Sequence, residues 1–321
     1  MKIAIIGAGA VGCLLGARLG RAGHEISFIA RGATLKALQQ RGVGLQDDSG
    51  LQFQPVTAVQ NPAELLPQDL IILAVKGPSL LAIVDLVQPL LTPHNRVLVA
   101  MNGVPWWFFN GLGGELSDNI LQSLDPQGEL AAKIPAAQVM GCVVHLACSS
   151  PEPGVSLNRF GNDLIIGQPD GQSSPETQAV YAALGAADFK VNLSPRIQQD
   201  IWYKLWGNMT MNPVSALTRA TTDQILADPL VREFCSQAMN EAAAIGERIG
   251  CPIEQSAEDR HAVTLKLGAM KTSMLQDVER GRELEVEAII GAVHEIALKT
   301  GVNAPAIAAL YGLVRLLGRS L

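Results

Sequence analysis

At 321 residues the chain is long enough for two domains. An apolar fraction of 48% with 17% charged residues belongs to a compact globular protein and excludes a disordered one. The net charge of −6 gives no electrostatic reason to expect nucleic acid or an anionic membrane as partner, and no segment carries the roughly 18 uninterrupted apolar residues of a membrane span. Five scattered cysteines (Cys13, Cys142, Cys148, Cys235, Cys251), without a CxxC pair, predict reduced thiols in a cytoplasmic protein and no metal centre.

Residues 1–20 superficially resemble a signal peptide, but Arg18 inside the apolar stretch and the glycine spacing argue against one. Residues 2–6, Lys-Ile-Ala-Ile-Ile, predict a buried strand, and residues 13–22 carry a helical apolar pattern. Between them stand Gly7, Ala8, Gly9, Ala10, Val11 and Gly12. A G-x-G-x-x-G run in that context is the fingerprint of a dinucleotide site. Its first glycine serves the tight turn, its second the approach of a pyrophosphate, and its third the close packing of helix on strand. The alternative is an ordinary strand–helix turn. A second strand over 25–30 ends at Arg31, where a partner for the free 2′-hydroxyl of NAD would be Asp or Glu. A guanidinium can instead grip a 2′-phosphate through two parallel hydrogen bonds, which points to NADPH. The alternative for Arg31 is a solvated surface arginine.

A helix is expected over 34–41, then a polar hairpin turning at Asp47, Asp48, Ser49 and Gly50. Residues 69–75 predict a strand ending at Lys76, residues 78–91 a helix, and residues 96–101 a strand ending at Asn102 and Gly103. Ligands of open α/β sheets lie outside the carboxyl ends of the strands, so Lys76 and Asn102 become cofactor-site candidates. Residues 139–166 predict antiparallel strands appended to the sheet. A helix over 175–187 and a strand over 190–193 follow. Ser194-Pro195 reads as a boundary, giving a doubly wound α/β domain over 1–194 and an all-helical domain over 195–321.

Within the second domain Lys204, Asn208 and Asn212 recur at intervals of four among aromatic and apolar residues, so on a helix they line one face. Such groups on a buried helix are costly unless they meet water, partners or ligand. The alternative is a solvated strip. Pro213 is expected to end this helix. Glu285 sits among Leu284, Val286, Ala288 and Ile289; it either points inward toward a partner or lies on the surface. The aromatic stretch 104–109, Val-Pro-Trp-Trp-Phe-Phe, reads as core packing or a subunit contact.

Taken together, these residues resemble the ketopantoate reductase (2-dehydropantoate 2-reductase) family almost end to end. The resemblance rests on the glycine run with Arg31, Val75-Lys76, Asn102-Gly103, Lys204-Leu205 with Asn208 and Asn212-Pro213, Ser273 to Val278 with Gly281-Arg282, Glu285, Gly291 and Gly301-Val302. It implies a Rossmann-like domain followed by a helical one like that of 6-phosphogluconate dehydrogenase. It also implies NADPH-dependent reduction of a small 2-keto acid in a cleft between the domains, on the route to pantothenate. In that family pattern Lys204 donates the proton and Glu285 helps hold the lysine, binds a substrate hydroxyl and borders the cofactor. Asn208, Asn212, Ser273 and Asn102 bind substrate, and Asn102 and Lys76 lie near the nicotinamide. Thr222, Met270 and Ile290 depart from it, since pantoate-making members commonly carry asparagine there, and Met101 stands where glutamine is usual. A reductase of another 2-keto acid and a non-catalytic NADPH sensor are the alternatives, and monomer and homodimer both stay open.

Overall fold

The computed structural model describes residues 1–321 and divides into two compact units, Met1–Met101 with Glu129–Ile197 and Asn102–Gly128 with Gln198–Leu321. The expected division ran without interruption to residue 194. In the structure, 102–128 joins the helical residues instead. Its aromatics explain why: Trp106, Trp107, Phe108 and Phe109 are all buried, and Phe108 packs 6.0 Å from the ring of Trp202. The stretch is core, of the two roles read from its sequence.

The first unit runs β1 (Lys2–Ile6), α1 (Ala10–Arg21), β2 (Glu25–Ile29), α2 (Gly32–Arg41), β3 (Val43–Asp47), β4 (Gly50–Gln54), β5 (Thr57–Val59), β6 (Leu70–Leu73), α3 (Leu80–Val87) and β7 (Arg96–Val99). After the excursion through the second unit come α4 (Glu129–Lys133), β8 (Val139–Ser149), β9 (Val155–Gly167), α5 (Pro175–Ala186) and β10 (Lys190–Leu193). The ten strands form one mixed sheet in the order β4-β3-β9-β8-β7-β6-β1-β2-β5, with β10 also on β9. Strands β5, β2, β1, β6, β7 and β8 are parallel, β9 turns antiparallel to β8, and β3 follows β9. β1 and β6 are adjacent, and successive strands leave them in opposite directions, so the switch point lies between them. Ile3 and Ile5 are fully buried and join Leu14, Leu15, Leu19 and Phe28 in the core cluster, which fixes α1 on the sheet. Gly16 allows that approach, because a Cβ there would stand 2.5 Å from the Phe28 ring.

The helix expected over 78–91 is α3 flanked by single 3₁₀ turns, Gly77–Ser79 and Gln88–Leu90. Pro78 and Pro89 sit early in those turns, where no amide is needed.

The second unit carries α6 (Ile197–Thr218, its first residue still in unit one), α7 (Thr222–Ala227), α8 (Pro229–Arg248), α9 (Ala257–Leu265), α10 (Ser273–Glu279), a π-helical segment Glu287–Gly291 leading into α11 (Ala292–Thr300), and α12 (Pro305–Arg319). Pro213 lies inside α6, not at its end as its sequence suggests. Met209, Val214, Ser215 and Ala216 are buried around it, so packing on both sides of the proline outweighs its lost hydrogen bond. α8 and α12 pack together, and the Glu241 carboxylate of α8 accepts the Ala306 and Ile307 amides at 3.0 and 2.9 Å. A side chain from one helix thus caps the start of another. No helix is long and apolar enough to cross a membrane.

Candidate active site

In the first unit the glycine run follows β1 at the switch point. Gly7 takes φ of +108°, and a Cβ on it would stand 2.5 Å from the Ala74 carbonyl oxygen just beyond β6. Gly12 lies in the first turn of α1, where a Cβ would come within 1.9 Å of the Gly7 carbonyl oxygen. Around Gly9 there is nothing within 4 Å of such a Cβ. First and third glycines are therefore demanded by the protein's own packing. The second leaves open space at the amino end of α1, with Ala8, Ala10 and Val11 lining the turn. Gly9 precedes the helix with no side chain capping it. The leading amides of a helix find no partner within it, and they carry the positive end of its dipole. These residues fit a pyrophosphate.

Arg31 directly follows β2, is exposed, and stands at the N-cap of α2. Lys76 lies half-buried beyond β6, next to the Ala74-Val75 segment that packs on Gly7. Both sit at the carboxyl ends of strands flanking β1, the rim from which a dinucleotide would be gripped.

In the second unit α6 presents Lys204 and Asn208 half-buried and Asn212 buried, among the closed-in Trp202, Leu205, Trp206 and Met209. Lys204 Nζ donates to Asn102 Oδ1 at 2.8 Å. Sequence spacing alone does not bring these residues together, because they stand 102 positions apart. Asn102 reads from sequence as a cofactor residue at a strand end. In the structure its side chain faces the lysine of the same unit, a charge-assisted bond that restrains a flexible ammonium.

Gly103 and Val104 fix that asparagine. Gly103 has φ of +82°, and a Cβ on it would meet the Ala288 carbonyl oxygen at 2.3 Å. The Val104 amide donates to the same oxygen at 2.8 Å. Glu285, half-buried, stands just before the π-helical segment that holds Ala288, and its carbonyl accepts the Ile289 amide at 3.1 Å. Ser273 is the exposed first residue of α10, which Thr272 caps through the Leu275 amide.

Thr222 and Ile290 are wholly buried. The Thr222 hydroxyl donates to the Gly268 carbonyl at 2.8 Å, and its amide to the Met270 carbonyl at 3.0 Å. Its polar capacity is taken up within the fold. Sequence reasoning missed the carbonyl of Ala288 as an anchor, since a backbone group leaves no signal in side-chain patterns; the Asn-Gly pair was the only hint.

A glycine-rich loop at the switch point of a largely parallel sheet, followed by a helical unit holding a restrained lysine, defines a dinucleotide-dependent oxidoreductase. The comparisons with known proteins specify it further. The model of the ketopantoate reductase PanE/ApbA family matches residues 3–171, and that of the family's C-terminal domain matches residues 196–318. A 2-dehydropantoate 2-reductase of Mesorhizobium japonicum is 39% identical over 98% of this chain and 97% of its own. The crystal structure of a Ralstonia solanacearum MolK2 protein is 51% identical with a TM-score of 0.96, over 99% of this chain and 98% of that one. That of 2-dehydropantoate 2-reductase from Methylococcus capsulatus is 26% identical with a TM-score of 0.83, over 100% and 97%. The chain belongs to the ketopantoate reductase family, and it is an NAD(P)-dependent oxidoreductase.

Proposed function

We propose that the protein reduces 2-dehydropantoate to (R)-pantoate with NADPH, with the first unit as its cofactor domain and the second as its substrate and proton-donor domain. The observation that carries this reading is the Lys204 ammonium held by Asn102 on a face that also bears Asn208 and Asn212. Gly7 to Gly12 would receive the pyrophosphate, and Arg31 the 2′-phosphate. Lys76 would stand near the nicotinamide end. NADPH, when bound, would supply a hydride to the keto carbon. As the carbonyl π pair moves onto oxygen, Lys204 passes its proton to that oxygen and is then reprotonated from solvent. A positioned acid of this kind is worth roughly 10²–10⁴ in rate. Glu285 would bind the substrate hydroxyl and border the cofactor, Asn208 and Asn212 would hydrogen-bond polar groups of the substrate, and Ser273 its carboxylate.

A second reading, reduction of a different 2-keto acid, draws support from Thr222 and Ile290. The threonine hydroxyl is committed to Gly268, and Ile290 is apolar and fully buried, so neither adds a free polar group to a pocket. A missing hydrogen-bonding group can cost far more discrimination than a missing methylene. One assay decides between the two: NADPH oxidation with 2-dehydropantoate beside a panel of other 2-keto acids. A kcat/KM of roughly 10⁴ M⁻¹s⁻¹ or more for 2-dehydropantoate alone supports the first reading. Good turnover elsewhere with feeble turnover of 2-dehydropantoate replaces the substrate. Tight NADPH binding without any oxidation would overturn both.

A further inference from the structure

Glu287 and Tyr311 lie outside every role assigned above, yet they join the lysine site through one chain of contacts. The segment Glu287–Gly291 is π-helical: the Ala292 amide donates to the Glu287 carbonyl, five residues back. In an α-helical register it would donate to Ala288. The Ala288 carbonyl is the one that takes the Val104 amide at 2.8 Å, and against it Gly103 packs without a Cβ. Asn102, the next residue back, holds Lys204 Nζ. A single inserted turn thus releases a backbone oxygen that anchors the residue holding the lysine.

The Glu287 side chain lies along the π turn. Its carboxylate folds back over Gly291, where a Cβ would stand 2.2 Å from Oε2. The Tyr311 hydroxyl of α12 donates to both carboxylate oxygens, at 2.9 and 3.1 Å. Tyr311 is itself flanked by the His294 ring, with centroids 5.4 Å apart, and by the Arg315 guanidinium 5.0 Å from its ring centroid. All of these residues belong to the second unit.

We infer that Glu287 and Tyr311 are positioning residues for the reduction: by holding the π turn they present the Ala288 carbonyl to Val104, and so set Asn102 and the Lys204 ammonium. The inference rests on Lys204 as the proton donor. Its test compares kcat and the dissociation constant of NADPH in Lys204→Ala, Tyr311→Phe, Glu287→Leu, Glu287→Gln and Gly103→Ala. Tyr311→Phe and Glu287→Leu are expected to lower kcat by roughly ten- to a hundredfold, the size of effect that an ångström of misplacement produces, with NADPH binding unchanged. Glu287→Gln, which still accepts from Tyr311, restores most of the loss. In an Asn102→Ala background Tyr311→Phe lowers kcat no further, because the path is already cut; a general weakening of the fold would still show there. Should Gly103→Ala fail to fold, the milder Tyr311→Phe carries the test alone. Unchanged kcat in Tyr311→Phe and Glu287→Leu, while Lys204→Ala is inactive, overturns this inference and spares the proposed function. Full turnover in Lys204→Ala overturns both.

Discussion

Lys204 combines a charged head with a largely apolar helix, and Asn102 gives that head a fixed direction at 2.8 Å. Replacing it with alanine removes the proposed proton donor and leaves the glycine loop untouched. Lys204→Ala is expected to lower kcat by roughly 10²–10⁴, with NADPH binding by fluorescence titration essentially unchanged. Arg31 makes the complementary prediction for the cofactor. As an exposed guanidinium beyond β2 it is free of structural duty, so Arg31→Ala should fold normally. NADPH should then bind roughly ten- to a hundredfold more weakly, the worth of a charge-assisted pair, with little change for NADH. Equal losses for the two nucleotides would remove the 2′-phosphate from the argument. The candidates themselves were legible in the sequence: the three glycines from a motif set between a strand and a helix, and the Lys204, Asn208 and Asn212 stripe from a four-residue repeat. The Lys204–Asn102 bond was not, because it joins residues 102 positions apart in the chain, with the last strands of the sheet between them.

Elements show where local rules give way to packing. The strand–turn–helix order around the glycines, the alternation of strands and helices and the antiparallel pairing of β8 with β9 all read correctly from short-range pattern, since each is set by side chains within a few residues. Pro213 is the instructive exception. Its ring forbids one hydrogen bond, but Met209 and Val214 on either side are buried, and tertiary contact keeps α6 continuous. A related long-range device starts α12. Ala304 offers no capping side chain, and the carboxylate of Glu241 takes the amides of Ala306 and Ile307 in its place. Glu241→Ala is expected to destabilise the protein by about 1–2 kcal/mol, as loss of a cap does, in urea unfolding followed by circular dichroism. Glu241→Gln, keeping an acceptor, should recover part of that. No change in the midpoint for Glu241→Ala would mean that α12 is held by its apolar face alone.

Across the molecule the perturbed acid-side groups pull in one direction. Burial holds His261 below the usual histidine range of 6.5; Glu258 pulls it back up, and Arg232 adds to the depression. His24 is depressed by burial and by the amino terminus. Burial alone would raise Glu295, but hydrogen bonds from Ser123 and Gln122 together with Lys299 outweigh it and leave the carboxyl low. Each depressed group binds protons more readily in the unfolded chain. Each therefore contributes stability above its unfolded pKa that is lost as pH falls through its folded one. Tm should accordingly be steady between about pH 7 and 8, decline from just below 6.5 as the histidines titrate, and fall again in the carboxylate range near 4. His261→Gln, keeping a polar partner for the Ser236 hydroxyl 2.9 Å away, should flatten the first decline. An unchanged first decline would place it on His24 or elsewhere.

The route of the chain through its two units carries a consequence for synthesis. Residues 102–128 leave the ribosome before 129–197, yet they belong with what comes after. Trp106, Trp107, Phe108 and Phe109 therefore emerge well ahead of Trp202 and the helix that bears it. At roughly 5–20 residues per second the wait lasts on the order of 5–20 seconds. During it β8, β9 and β10 can close the sheet, while four large aromatic side chains remain uncovered. Such an interval is when a chaperone would find its client. It also means that no single cut in the gene releases either unit whole, so neither could be borrowed or exchanged as one uninterrupted stretch.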